Sequence, residues 1–324
     1  MSARPWALLG VVVAASLVLG LAAGSVALSP AEVWAGLTGR GGGAADIVRE
    51  LRAPRVLLAF LVGGSLGVAG AALQAMIRNP LAEPFLLGLS GGAGLGAVAA
   101  IALHLGGAWA VPIAAFAGAL AAVALVYRLS AVAGRRLDPR VLLLSGVVVG
   151  SFAGALMSAI IVLSDTAATR NAFLWLLGGF GASSWQSLGV FAAYAVLPLG
   201  LIGFHARSLD LLALGEEPAH YLGADVERTR RLVYLATALL TAASVATCGI
   251  IGFVGLVVPH AVRTVARPLH RSLLPAVFLV GGSFLVLCDI VSRTVVRPLE
   301  LPVGVVTALV GVPVFALLLR RSVA

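Results

Sequence analysis

Few residues in this chain are chemically equipped for anything beyond packing. Among its thirteen carboxylates only Asp289 falls deep inside an apolar run, close to Arg293 one helical turn later. His104 is the nearest other exception, and His260 stands alone beside Pro259. Ionisable groups near a membrane usually pair, so Asp289 and Arg293 are expected to bind each other on one helix face rather than relay protons. Cys248 and Cys288 both lie in apolar surroundings, without partners at ligand spacing, and read as small packing residues. No HExxH, GxSxG or paired-carboxylate arrangement occurs, which argues against an enzyme. No cofactor and no metal site are expected.

The basic residues exclude more. All 22 are arginine; the chain has no lysine. A phosphate-binding loop of the Walker type needs a lysine for the β- and γ-phosphates, so any ATP that drives this protein binds elsewhere. The formal charge of +9 invites a nucleic-acid reading. Most arginines sit at the ends of apolar runs, however, where topology rules put them anyway.

Those runs must position the rest. With 60% hydrophobic and 11% charged residues, the chain falls far below the roughly 25% charge of a soluble domain. Apolar segments near 6–28, 56–77, 85–105, 108–127, 141–163, 188–204, 232–250, 252–265, 273–291 and 303–319 predict an all-α polytopic membrane protein of about ten transmembrane helices. The first run is nearer a full span than a signal-peptide core and is expected to be retained. The eighth, 252–265, is short and carries Pro259, which predicts a partial or broken span. With both termini cytoplasmic, only Arg40, Arg49, Arg52, Arg55, Arg170, Arg293 and Arg297 of the 22 arginines lie outside, in accord with the positive-inside rule.

No hydrophilic stretch is long enough for a second domain, so residues 1–324 form one membrane unit. The longest cytoplasmic segment, about 205–231, exceeds the length of ordinary connections. Short helices are predicted there at 209–214 and 219–222 around Pro218, as a docking surface for a cytoplasmic partner. Stripes of glycine, Gly63-xxx-Gly67, Gly88-xxx-Gly92-xxx-Gly96 and Gly146-xxx-Gly150-xxx-Gly154, predict close helix crossings.

Several strings resemble one family closely. They include Arg52-Ala53-Pro54-Arg55, Arg78-Asn79-Pro80-Leu81-Ala82-Glu83-Pro84, Ala213-Leu214-Gly215-Glu216-Glu217, Gly252-Phe253-Val254-Gly255-Leu256 and Glu300-Leu301-Pro302-Val303-Gly304. Together they resemble the iron-chelate/cobalamin (FecCD-type) permeases of type II ABC importers, in the expected order over about 52–311. The resemblance implies a permease without enzymatic activity of its own, pairing with a second copy, with two cytoplasmic ATPase subunits and with an extracytoplasmic substrate-binding protein. Its surroundings are lipid of the cell's inner membrane, and its cargo is a ferric siderophore, haem or cobalamin.

By position, the resemblance assigns Arg52, Arg55 and Arg293 to docking of the binding protein, as exposed guanidiniums gripping carboxylates. It assigns Asn79, Pro80 and Leu81 to a cytoplasmic gate, completed by the loop 137–140. There Asp138 and Pro139 replace the small hydroxyl residues common in the family. Leu214, Gly215, Glu216, Glu217, Ala219 and Leu222 are assigned to the coupling helices that seat in the ATPase. An ion-coupled secondary transporter is the alternative class, and a membrane scaffold or receptor without transport a further one; the first would need a titrating acid or histidine inside the membrane.

Overall fold

In hydrocarbon every backbone N–H and C=O must find its partner within the protein, which leaves the apolar runs little choice but helix. The computed structural model describes residues 3–24, 26–40, 42–132, 138–265 and 269–323, and every regular element among the described residues is helical. The chain opens with α1 (Ala3–Ala22), α2 (Pro30–Leu37) and α3 (Gly43–Asp46), the last continuing through a π-helical stretch (Ile47–Arg52) into α4 (Ala53–Ile77). A 3-10 turn (Pro84–Leu87) leads into α5 (Leu89–Ala102), followed by α6 (Ala110–Val132), α7 (Pro139–Leu163), α8 (Thr166–Leu176) and α9 (Trp185–Phe204). Two short helices, α10 (Ala206–Leu214) and α11 (Glu216–Tyr221), precede α12 (Val226–Cys248), α13 (Val254–Val265), α14 (His270–Thr294) and α15 (Val303–Val323).

Seven of the described helical stretches are long and apolar enough to cross a membrane. The other three predicted segments carry the shorter apolar helices Leu89–Ala102, Val254–Val265 and Val303–Leu317. At 1.5 Å per residue the first two reach about 21 and 18 Å, short of the ~30 Å hydrocarbon layer, whereas the whole of α15, at 21 residues, reaches about 31 Å. Pro259 lies inside the shortest of them, α13, as the sequence leads one to expect.

Helix starts account for several of the acids that the sequence leaves in loops. Asp138 caps α7 by accepting from the backbone N of Arg140 at 2.9 Å. Asp165 caps α8 through Ala167 and Ala168, and Asp225 caps α12 through Arg228. Each carboxylate satisfies an N–H that the first helical turn leaves without a partner, and its charge suits the positive end of the helix.

The centre of the subunit is α4, packed against α14, α12, α13 and α9 and buried along most of its length. Missing side chains make this possible. A Cβ on Gly70 would sit 1.9 Å from the carbonyl oxygen of Gly255, and one on Gly63 would sit 2.3 Å from that of Gly281. Gly92 and Gly118 bring α5 and α6 together in the same way. The third stripe behaves differently. Gly146 meets the backbone of Leu86, but a Cβ on Gly154 would have nothing within 4 Å. One face of α7 turns outward, leaving Leu144, Val147, Val148 and Phe152 exposed, while Val149 and Ala153 on the other face stay buried. Cys248 and Cys288 are free and buried, as packing residues should be. His104 differs from the expectation of an intramembrane group: it follows the end of α5, is exposed, and pairs with Asp165 at 3.0 Å.

Candidate functional site

The chemistry of this chain gathers at the two ends of α4 and α14. These helices are 25 residues long, about 37 Å at 1.5 Å per residue. One end holds Asp289, Arg55 and Arg293; the other holds Arg78, Asn79 and the short helices α10 and α11.

At the first end, the Asp289 carboxylate is only 1% exposed and is held from two sides. Arg55 donates from Nε at 3.0 Å and from Nη2 at 2.9 Å to Oδ1, while Arg293 pairs from Nε with Oδ2 at 3.0 Å. The predicted pairing of Asp289 with Arg293 is therefore present, with Arg55 as a second partner from α4. Arg55 also reaches Glu300, Nη2 to Oε2 at 2.9 Å, and Glu300 faces solvent. Other donors of the cluster go to the end of α1 and the residues just after it. Arg293 donates to the carbonyls of Gly20 and Ala23, and Arg52 to those of Leu21, Ala22 and Val26. A helix leaves its last carbonyls without intrahelical partners and carries partial negative charge there, so two buried guanidiniums close the C-terminus of α1.

This corrects part of the sequence reading. Arg52 and Arg293 are buried, at 5% and 4% exposed, rather than exposed grips. Their hydrogen bonds are committed within the subunit. The arginines that do face outward at this end are Arg49 and Arg297, with Arg40 exposed after α2 and Arg170 exposed on α8. Sequence reading listed them as outside but gave them no role. A cavity of about 800 Å³ opens beside the cluster, lined by Arg55, Trp175, Phe180, Ser292 and Glu300 among others.

At the second end, residues that the resemblance assigns to a gate and to coupling helices come together. Arg78, Asn79, Asp138, Arg140, Leu143 and Glu216 line one cleft of about 530 Å³. Asn79 accepts from the backbone N of Leu81 at 2.9 Å, which folds the chain sharply after α4 and leaves Pro80 and Leu81 exposed. Asp138 supplies the cap and Pro139 the first turn of α7, where a missing N–H costs nothing. The Asp-Pro pair that departs from the family pattern thus has a plain structural job; Leu137 lies outside the described residues.

The first short helix, α10, ends at Leu214 as the sequence predicts, and the break is the single residue Gly215, so that α11 begins at Glu216 rather than at Ala219. Gly215 has φ 127°, a conformation that a side chain would strain, and a Cβ there would meet Pro218 and the guanidinium of Arg78. Pro218 instead lies in the first turn of α11, where it is tolerated. Leu212, Ala219 and Ala224 form a small core beneath the turn. Glu216 bridges to Arg230 of α12 at 2.7 Å. What remains on the outside is mostly apolar: Leu214, Tyr221 and Leu222 are 65%, 87% and 59% exposed, flanked by Glu217. Tyr221 is the residue that sequence reading missed here. Its signal, an aromatic flanked by motif positions in a polar segment, was available.

Comparison with known proteins identifies the arrangement. The FecCD transport family model matches residues 12–321. The cobalamin import permease BtuC of Halobacterium salinarum is 45% identical over 274 residues, covering 85% of this chain and 73% of its own length. BtuC of Escherichia coli O157:H7, a vitamin B12 import permease, is 40% identical, covering 97% and 94%. The ABC transporter permease YvrB of Bacillus subtilis, itself uncharacterized, is 39% identical over 95% of this chain and 91% of its own. A solved structure described as a metal-chelate type ABC transporter in an inward-facing conformation superimposes with a TM-score of 0.86 at 29% identity, covering 97% of both chains. The buried arginine–carboxylate lock, the glycine-packed bundle and the exposed helical turn at Gly215 are thus set in a multi-pass inner-membrane permease, and the chain belongs to the FecCD transport family.

Proposed function

We propose that this chain is the membrane subunit of an ATP-binding-cassette importer that carries a bulky metal chelate, cobalamin or a molecule of its class, into the cytoplasm. Two copies would enclose the pathway, spanning the membrane about ten times each with both termini inside. On this reading the Glu216 end faces the cytoplasm and seats an ATPase subunit, and the Asp289 end faces outward and receives a substrate-binding protein. The observation that carries the reading is the single cleft lined by Asn79, Asp138 and Glu216. A partner pressing on the exposed apolar knob of Leu214, Tyr221 and Leu222 acts directly beside the gate, so closure of that partner is converted into movement at the gate as a rigid-body change.

The cobalamin class rests on the named relatives, two of which are cobalamin or vitamin B12 permeases. Docking at the outer end falls to Arg55 with Glu300 and to the exposed Arg49 and Arg297. Arg52 and Arg293 take part only if they leave α1. The ion-coupled alternative would need an acid that releases its charge during transport. Asp289, the acid deepest in the bundle, is held by two guanidiniums, which favours a fixed structural charge.

The test is transport in proteoliposomes holding the permease with its ATPase subunit. Cyanocobalamin should accumulate only with ATP and a loaded binding protein, and ferric siderophore or haem should fail to compete. Accumulation driven by an ion gradient without ATP would refute the proposal.

A further inference from the structure

Asp210 and His270 take no part in the gate, the knob or the arginine lock, yet they make a close polar contact between elements. Asp210 lies on α10; His270 opens α14 and is 7% exposed. One carboxylate oxygen, Asp210 Oδ1, accepts twice from this residue: from the backbone N at 2.9 Å and from the ring Nδ1 at 2.6 Å. The first bond satisfies an orphan donor of the first turn of α14, a cap supplied by another helix rather than by the preceding residue. The second fixes the ring, with its proton on Nδ1. Nε2 is buried and has no hydrogen-bond partner among the described residues, so the ring has no other polar commitment.

The far end of α14 is fixed as firmly. Asp289 and Arg293 tie it to Arg55 of α4 and to the closing carbonyls of α1. Midway, Gly281 meets Gly63, and Phe278 meets Phe60 edge to face at 5.9 Å between ring centres. A helix gripped at both ends and close-packed along its length moves as a strut, because such packing does not deform continuously.

We infer that the Asp210–His270 contact is the link through which the coupling segment drives α14, so that events at the ATPase seat and at the Asp289 end are felt by each other. This rests on the proposed reading of α10 and α11 as that seat. Asp210 and His270 are positioning residues: they touch neither cargo nor nucleotide. Among the described residues the other side-chain ion pair from the segment, Glu216 to Arg230, runs to α12 and not to α14.

The full assembly in proteoliposomes tests the link, with binding protein loaded with cyanocobalamin as the probe. Two ratios are read: stimulation of ATP hydrolysis by the loaded binding protein, and ATP hydrolysed per cobalamin moved. D210A should still co-purify with the ATPase subunit but lose stimulation by about tenfold, within the range of ordinary allosteric coupling. D210N, which keeps an oxygen acceptor, should recover most of it. H270F keeps the backbone cap and the ring volume; it should show the same uncoupling and serves if D210A fails to fold. Unchanged ratios in D210A or H270F would overturn the inference. So would loss of co-purification in D210A alone, which would make Asp210 part of the seat. A native chain that never binds the ATPase would sink the underlying reading, and this inference with it.

Discussion

The two ends of this permease use charge in opposite ways. At the Asp289 end, Arg52, Arg55 and Arg293 are turned inward onto a carboxylate and onto the last carbonyls of α1, so that α1, α4 and α14 form one locked body. At the Glu216 end, charges rim an open cleft, and exposed apolar side chains stand on a two-helix turn held by a small core and by the Glu216–Arg230 and Asp210–His270 contacts. The lesson is that arginines placed alike by topology rules serve unlike purposes. Buried ones hold helices together, whereas the exposed turn at the other end, the proposed seat of a moving partner, presents leucine and tyrosine.

Breaking the lock should have the largest effect. D289A leaves two buried guanidiniums without their counter-charge, and loss of one partner from a buried ion pair costs about 3–5 kcal/mol. Thermal unfolding in detergent should show this loss, whereas E300Q, at an exposed partner, should change stability by at most about 1 kcal/mol. Next comes the knob. The pair L214D and L222D should leave the unfolding temperature unchanged and abolish co-purification with the ATPase subunit, a loss of about 2 kcal/mol or more of binding if these leucines are anchors. Normal co-purification would remove the functional half of the contrast.

Smaller effects sharpen the comparison. G70A forces a methyl against the carbonyl of Gly255 and should cost about 1–3 kcal/mol, while G154A, with open space around it, should be close to neutral. The smallest concerns pH. Backbone N–H donation from Ala168, with that from Ala167 and the nearby His104, holds the Asp165 carboxyl below its ordinary value of 3.8. A depressed folded-state value means that the cap contributes above the unfolded value and is lost as pH falls through the folded one. Hydrogen-exchange protection at Ala167 and Ala168 should therefore drop only in strong acid, and not between pH 5 and 8.

How much of this was legible in the sequence follows from how local each signal is. All ten apolar segments carry helices because apolar length is a local property. The helices at α2 and α8 went unseen: each is short, and α8 mixes polar and apolar residues behind its Asp165 cap. Asp289 with Arg293 was readable from spacing on one helix; Arg55 as the second partner, 234 residues away, was not. The burial of Arg52 was invisible for the same reason, since its acceptors are carbonyls of α1, which every residue possesses. The end of α10 at Leu214 was readable, but the start of α11 was placed at Ala219 rather than Glu216, because proline looks like punctuation although in a first helical turn it is harmless.

The central claim is that force applied at the Gly215 turn moves the gate while the arginine lock stays shut. The most direct measurement is a pair of spin-label distances in the assembled transporter, one between positions 81 and 144 beside the cleft and one between positions 51 and 299 beside the lock. On ATP binding, the first should shift by several ångströms, as rigid-body transitions of packed helices do, and the second should not. A fixed first distance, or a second that changes as much, would contradict the account.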